Sequence, residues 1–239
     1  MKGNSLILTN FDLLFRSAKV QNLYLKSMPL YKTITVNPNT KVLIWNIQES
    51  FETLSENVEL TSNCANRVAN MKSELHRRGF ISIRQLMALE GYSDSDLYYD
   101  ENGKPHLTDD KYISITHSFN FSAIIISDME VGIDIEKQRM KILRIAHKFT
   151  PIEEYRTIAN EDALMRKLTI VWCAKESLYK SFAEKSVSFL QNIDVDNFDL
   201  DEKKTTATVT YGDKEFSYKI DYLEFEGFTC AYALISQKN

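Results

Sequence analysis

Val131-Gly132-Ile133-Asp134-Ile135-Glu136 is the stretch from which the fold of this chain is best deduced. It follows an apolar run, Phe121 to Ser127, after a short polar turn, and the two isoleucine-rich runs predict a β-hairpin. Side chains on a strand alternate between faces, so the two isoleucines point one way while Asp134 and Glu136 point the other. The stretch therefore predicts an apolar row towards the core and a row of carboxylates on the opposite face.

The paired carboxylates have two explanations. Asp and Glu are depleted in strands, so their presence here needs a physical reason. One reason is a polar face in contact with water. The other is a site for Mg²⁺, a hard cation that takes oxygen ligands and leaves positions for substrate phosphate. Strand alternation alone favours neither explanation.

Composition limits the classes of function. The 239 residues suffice for one large domain or two small ones, and the formal net charge of -4 does not favour a nucleic-acid partner. Three widely spaced cysteines fit reduced thiols better than a disulfide framework. No apolar run approaches the length of a membrane span. We therefore expect a cytoplasmic protein without a membrane or nucleic-acid partner.

A long helix is predicted from Glu161 to about Glu184, because apolar residues recur there at helical spacing. Lys175, Glu176 and Lys180 lie beside the apolar stripe. Glu176 and Lys180 are one turn apart, so they can also be a simple surface pair worth a few tenths of a kcal/mol. The other predicted elements are strands at Lys32–Val36, Lys41–Ile47 and Tyr112–His117, helical sequence at Ser62–Leu89, a basic helix at Lys137–Lys148 and a β-meander at Lys204–Ser236.

Three further positions give weaker signals. Lys104 lies between Gly103 and a proline, in a tight turn that aims the lysine inward. His117 ends a predicted strand, where a histidine is more often a structural hydrogen-bonding residue than a functional one. Arg77 belongs to a basic group in the helical region, and the simplest interpretation of that group is a solvated helix face.

The order of the motifs is more specific than any one of them. Along the chain they are Gly103-Lys104-Pro105, Ile115-Thr116-His117-Ser118, Gly132-Ile133-Asp134-Ile135-Glu136-Lys137, Phe149, Glu154-Tyr155 and Trp172-Cys173-Ala174-Lys175-Glu176-Ser177-Leu178-Tyr179-Lys180. This order resembles the 4′-phosphopantetheinyl transferase superfamily, in its long, surfactin-synthetase-activating type. The resemblance implies an α+β fold of two similar halves related by a pseudo-twofold axis, each a small antiparallel sheet on a long helix. We expect the halves at residues 1–118 and 119–239, with the active site between them, in a monomer.

The resemblance also implies roles for the acidic residues. Asp134, Glu136 and Glu176 correspond to the carboxylates that bind Mg²⁺. Glu176 is the candidate base for the attacking serine hydroxyl, directly or through a metal-bound water. Asp134 is also expected to be a catalytic residue. Lys180 would stabilise the departing phosphate.

Five residues correspond to contacts with coenzyme A. Lys104, Thr116 and His117 are expected to bind coenzyme A. Lys175 is expected to face the pyrophosphate of coenzyme A, together with Lys180. Arg77 lies where related sequences place a basic residue for the ribose 3′-phosphate. The sequence departs from the family pattern near Arg77, because a glycine stands two residues later where glutamate is common.

The activity implied is that of a holo-acyl-carrier-protein synthase. Phosphopantetheine would move from coenzyme A to a serine of an apo acyl or peptidyl carrier protein, with Mg²⁺, releasing adenosine 3′,5′-bisphosphate. The carrier could serve fatty-acid, polyketide or peptide synthesis. Two alternatives remain open at this point: a catalytically silent module that binds coenzyme A or the carrier, and a Mg²⁺-dependent nucleotide phosphohydrolase.

Overall fold

The predicted α+β fold class is confirmed. A computed structural model of the chain describes residues 30–155, 158 and 160–238, which form two antiparallel sheets and few helices. The pseudo-twofold relation and the division of the chain into two similar halves stay predictions. Residues 1–29 of the expected first half, where the run Leu6–Leu8 predicts a short strand, lie outside the described residues. No helix in the described part is long and apolar enough to cross a membrane.

The first sheet contains the strands of the N-terminal part of the chain. In space, each pairs antiparallel with its neighbours in the order β1-β2-β6-β5-β4-β3. The strands are β1 (Leu30–Asn37), β2 (Thr40–Asn46), β3 (Leu97–Tyr99), β4 (Pro105–Leu107), β5 (Tyr112–Ser118) and β6 (Phe121–Ser127).

The second sheet has the order β7-β11-β10-β9-β8 and includes the predicted meander. Two-residue turns join its long strands, at Gly212-Asp213 and Glu226-Gly227. The strands are β7 (Val131–Lys137), β8 (Ile193–Val195), β9 (Lys204–Tyr211), β10 (Lys214–Phe225) and β11 (Phe228–Lys238).

The predicted hairpin between β6 and β7 is wrong. Both edges of β6 are occupied, because it pairs with β2 on one side and with β5 on the other. β7 pairs instead with β11, so the chain crosses from the first sheet to the second between Ser127 and Val131. The expected boundary between residues 118 and 119 would therefore separate β6 from its own sheet.

The helices differ from the prediction mainly in length. The helical sequence at Ser62–Leu89 forms two helices, because Ser73 caps a new N-terminus by accepting from the His76 N–H. The predicted basic helix is shorter, since Lys137 still belongs to β7. The helices are α1 (Phe51–Ser55), α2 (Ser62–Ala69), α3 (Glu74–Leu89), α4 (Lys141–Ile145) and α5 (Glu161–Phe182), with 3₁₀ turns at Asp94–Asp96, Ala146–Lys148 and Ile152–Tyr155.

An apolar layer joins the two sheets. Ile133 and Ile135 of β7 are buried against Ile44 of β2 and Ile125 of β6, so the isoleucines of the opening stretch face the first sheet. Hydroxyl groups on alternate residues of β5 complete the contact. Ser114 accepts from the Ile133 N–H, and Thr116 accepts from the Ile135 N–H. Ser118 instead donates to the Glu136 carboxylate.

Gly132 allows β7 to lie directly against α5. A Cβ atom at this position would be 1.8 Å from the backbone oxygen of Ser177, a distance that no heavy atoms tolerate. The absence of a side chain, rather than backbone flexibility, is what the position requires. The glycine of the opening stretch therefore fixes how closely α5 approaches the strand that carries Asp134.

We predict that Gly132→Ala destabilises the fold by about 3 kcal/mol or more, because a backbone atom of a buried helix cannot move aside cheaply. Equilibrium urea unfolding measures the change. Gly212→Ala is the matched control: its φ is +61° but nothing lies within 4 Å of its added Cβ, so about 1 kcal/mol is expected. Equal losses in the two variants would contradict the close-approach argument.

Candidate active site

Asp134 is the buried centre of the candidate site. The residue is 6% exposed, and its Oδ1 accepts from the Lys180 ammonium at 2.7 Å and from the Thr116 hydroxyl at 3.1 Å. Thr116 also accepts from the Ile135 N–H, so β5 holds the strand and the carboxylate together. The other carboxylate oxygen, Oδ2, is buried without a hydrogen-bond partner. A buried acceptor in that state is costly unless something binds it.

Glu136 and Glu176 share the electrostatic environment of Asp134. Burial raises the pKa of Glu176 to about 7, and the charges of Asp134 and Glu136 add to the shift while Lys180 opposes it. Burial and the charge of Asp134 also raise the pKa of Glu136, against a hydrogen bond from Ser118. Three carboxylates from β7 and α5 therefore repel one another around one ammonium group.

Lys180 carries the balancing charge. Burial alone would lower the pKa of Lys180, but attraction to Asp134, the hydrogen bond to it and the charge of Glu176 raise the pKa instead. The ammonium group also donates to the backbone oxygen of Ile133 at 3.1 Å. Lys180 is therefore protonated and fixed on β7, which is a more specific arrangement than a surface pair with Glu176.

The residues fit a divalent cation in their chemistry. The buried Oδ2 of Asp134 lacks a partner, and burial, with the crowding of negative charge, raises the pKa values of Glu136 and Glu176. Carboxylate oxygens are the donors that Mg²⁺ prefers. In the described part of the chain, no three His, Cys, Asp or Glu side chains form a cluster already spaced to hold a metal. The donor set is therefore present, but the ligand sphere is not preformed.

Lys104 reaches the same region from the first sheet. Its ammonium group donates to the backbone oxygen of Ser181 at 2.6 Å, across 77 residues of sequence. The predicted tight turn is present, with Gly103 at φ +84° and Asp100 accepting from the Lys104 N–H. Lys104 and Lys180 line one cavity of about 230 Å³. A larger cavity of about 600 Å³ lies away from these groups, around Lys167.

His117 is an exposed residue whose ring lies against Gly79 of α3. A Cβ atom on Gly79 would be 3.0 Å from the imidazole, so the glycine leaves room for the ring. Desolvation lowers the pKa of His117, and the nearby charges of His76 and Lys180 lower it further. The ring centroids of His76 and His117 are 5.9 Å apart. A side chain at position 79 would therefore crowd the His117 ring.

Lys175 and Arg77 do not lie where the resemblance places them. The Lys175 side chain is buried, and its ammonium group donates to the backbone oxygens of Phe189 at 2.7 Å and Ile193 at 2.5 Å. The guanidinium of Arg77 stacks over the ring of Phe51 at 3.9 Å. Successive residues of a helix point about 100° apart around its axis. An alignment error of one residue therefore assigns a side chain to the wrong face of the helix.

The sequence interpretation missed the positioning role of the β5 hydroxyls. Thr116 was expected to contact coenzyme A, but its hydroxyl is engaged with Asp134 and β7. Ser118 donates to Glu136 at 3.2 Å. The sequence contains a signal for this role, because Ser114, Thr116 and Ser118 occupy every second position of one strand and so share one face.

We predict that Glu176→Gln stabilises the protein at neutral pH in the absence of divalent cations. The folded pKa of about 7 exceeds the ordinary value of 4.5, so ionisation destabilises the fold as pH rises through this interval. The gain should be absent near pH 4.5 and reach about 1–3 kcal/mol at pH 8. Urea unfolding in EDTA measures it. Glu184→Gln, at an exposed site beyond α5, is the control without a gain. A gain in the free energy of unfolding that does not change with pH would contradict the explanation by ionisation of Glu176.

We predict that Lys175→Met lowers the free energy of unfolding by about 1–3 kcal/mol, because two backbone oxygens lose a charged donor. Coenzyme A affinity should stay within a factor of two, and isothermal titration calorimetry measures it. Unchanged stability with weakened coenzyme A binding would restore the original expectation for this lysine.

Comparisons with known proteins agree with this geometry. Residues 130–233 match the family described as the 4'-phosphopantetheinyl transferase superfamily. The chain is also similar to the 4'-phosphopantetheinyl transferase gsp of Aneurinibacillus migulanus, with 27% identity over 135 residues, covering 55% of each chain. The match therefore spans about half the length of that curated relative. The resemblance to the superfamily is confirmed.

Proposed function

We propose that this protein, whose residues 130–233 match the 4′-phosphopantetheinyl transferase superfamily, transfers the 4′-phosphopantetheine group of coenzyme A to a carrier-protein serine. The recipient would be an apo acyl or peptidyl carrier protein, and Mg²⁺ would be required. The observation that carries the proposal is the buried Asp134, which holds Lys180 with one oxygen and leaves the other without a partner. A surface charge pair would have no reason for such burial.

Glu176 accepts the proton of the carrier serine. A serine hydroxyl is a weak nucleophile until a base is in reach, and a base acts best when its pKa lies near the working pH. Without a bound cation the pKa of Glu176 is about 7, which suits that task. The serine oxygen then forms a bond to the β-phosphorus of coenzyme A. The bond from that phosphorus to the leaving oxygen of adenosine 3′,5′-bisphosphate breaks.

Lys180 and Lys104 stabilise the negative charge that the reaction moves. Phosphoryl transfer depends mainly on positioning and on cations placed where charge develops. Lys180 remains protonated beside Asp134, and both ammonium groups line the 230 Å³ cavity. Their backbone contacts hold them before substrate arrives.

Asp134, Glu136 and Glu176 are the residues that would hold Mg²⁺. When bound, the cation would neutralise charge on the pyrophosphate oxygens. Thr116 and Ser118 act on this set as positioning residues, because each donates a hydrogen bond to one of its carboxylates.

The two sheets provide the framework for the proposed site. We place the boundary between two similar halves at residues 128–130, where the chain leaves β6 and enters β7, rather than between residues 118 and 119. Lys104, Thr116 and His117 then come from the first half, and the three carboxylates and Lys180 from the second. A cytoplasmic monomer is part of the same proposal.

Intact mass spectrometry of an apo carrier protein tests the proposal. Incubation with the protein, coenzyme A and Mg²⁺ should add one phosphopantetheine to a serine. Asp134→Asn should abolish the mass gain, because it removes the charge that holds Lys180 and the proposed metal ligand. Asp128→Asn, an exposed acid in the turn before β7, should leave the rate unchanged.

Two other results would overturn the proposal. Hydrolysis of coenzyme A without carrier modification would indicate the phosphohydrolase. Coenzyme A binding without any turnover, on acyl and peptidyl carriers that a known transferase modifies, would indicate the silent binding module.

A further inference from the structure

The loop that carries Lys104 is organised around one carboxylate, that of Asp100. The loop joins β3 to β4, and Tyr99 and Pro105 are the last paired residues on its two sides. Asp100 Oδ1 accepts from the backbone N–H groups of Asn102 and Lys104, both at 2.9 Å. The Asp100 N–H also donates to the backbone oxygen of Lys104 at 3.1 Å. Asp100 therefore fixes the backbone of Lys104 from both its N–H and its oxygen.

His106 of β4 holds the second oxygen of the same carboxylate. Its Nε2 lies 3.1 Å from Asp100 Oδ2, and the histidine is the donor because an ionised carboxylate only accepts. Tyr98 lies directly opposite His106 on β3, and the two rings stack with their centroids 5.3 Å apart. The hydrogen bond from His106 is the main cause that lowers the pKa of Asp100, followed by the bond from the Lys104 N–H. Asp100 is therefore ionised at neutral pH and bonded at both oxygens.

The loop forms one wall of the proposed site. Residues 102–105 line the 230 Å³ cavity together with Tyr179 and Lys180 of α5. From this wall the Lys104 ammonium reaches the backbone oxygen of Ser181 at 2.6 Å. A lysine side chain has four flexible carbons, so the position of its ammonium depends on how firmly the backbone at its base is held. The bonds of Asp100 supply that constraint.

We propose that Asp100 and His106 are positioning residues for the transfer reaction: they hold the loop so that Lys104 meets the phosphate groups of coenzyme A. The inference rests on the proposed function for the identity of the ligand. Asp100 has the wrong charge for a phosphate contact, and neither it nor His106 is among the described residues that line the cavity. Their effect on the ligand therefore passes through Lys104.

A double-mutant cycle between residues 100 and 104 tests the inference, with coenzyme A affinity of the full-length protein measured by isothermal titration calorimetry. Lys104→Met should weaken binding by about tenfold or more, as expected for a charge-assisted contact. Asp100→Ala should weaken it by about three- to tenfold, but by less than about twofold when Lys104→Met is already present. A charge effect alone has the opposite sign, because removal of a carboxylate near a phosphate site strengthens the binding of an anion.

Three further variants separate the hydrogen bonds from the charge. Asp100→Asn keeps an oxygen that can accept from both N–H groups and should recover most of the affinity lost in Asp100→Ala. His106→Phe keeps a ring against Tyr98 but removes the bond to the carboxylate, so binding should weaken by about two- to fivefold. Glu101→Ala is the matched control: it removes an exposed carboxylate from the same loop and should not weaken binding.

Three results would overturn the inference: unchanged affinity in Asp100→Ala, the same loss from Asp100→Ala with and without Lys104, or an equal loss in Glu101→Ala. The carrier modification assay distinguishes these results from failure of the proposed function. Transfer with independent losses at residues 100 and 104 rejects the positioning role alone. Coupled losses in coenzyme A affinity, without transfer, keep the positioning role and reject the transferase activity. A native protein that does not bind coenzyme A rejects both.

Discussion

The close approach of β7 to α5 is the constraint on which the site depends. Because a Cβ atom at Gly132 would meet the Ser177 oxygen at 1.8 Å, only glycine lets the helix lie this near the strand. At that distance Lys180 reaches both the Ile133 oxygen and the Asp134 carboxylate. The glycine of the motif therefore acts through packing, and the acidic residues beside it act through charge. The glycine and the acidic residues lie close together in the sequence because the carboxylates must be on the same strand that the helix approaches.

The elements of the fold were largely predictable, and their pairing was not. Strand and helix patterns are local, and the long helix and the meander begin and end within a few residues of their predicted positions. The hairpin prediction failed because pairing depends on which strand edges are free. β6 lies between β2 and β5, and neither neighbour is adjacent to β7 in the sequence. The short turn between two apolar runs does not show which strands will occupy the edges of β6.

The site was predictable where a motif fixes a side chain relative to the backbone. Strand alternation places Asp134 and Glu136 on one face, and helix periodicity places Glu176 and Lys180 one turn apart. Lys175 shows the limit of this reasoning. It adjoins Glu176, yet its ammonium group is buried against Phe189 and Ile193. Only the packing of the segment after α5 decides that a lysine ends in the core rather than in the site.

The electrostatics explain why a cation beyond Lys180 would stabilise this site. Burial and mutual repulsion raise the pKa values of Glu136 and Glu176, which means that ionised carboxylates destabilise the folded protein here. Lys180 offsets part of this cost through Asp134, whose second oxygen still lacks a partner. A core selected for stability alone would replace such groups with apolar residues. Their retention is consistent with a site in which stability is given up for the binding of a charged substrate and its metal.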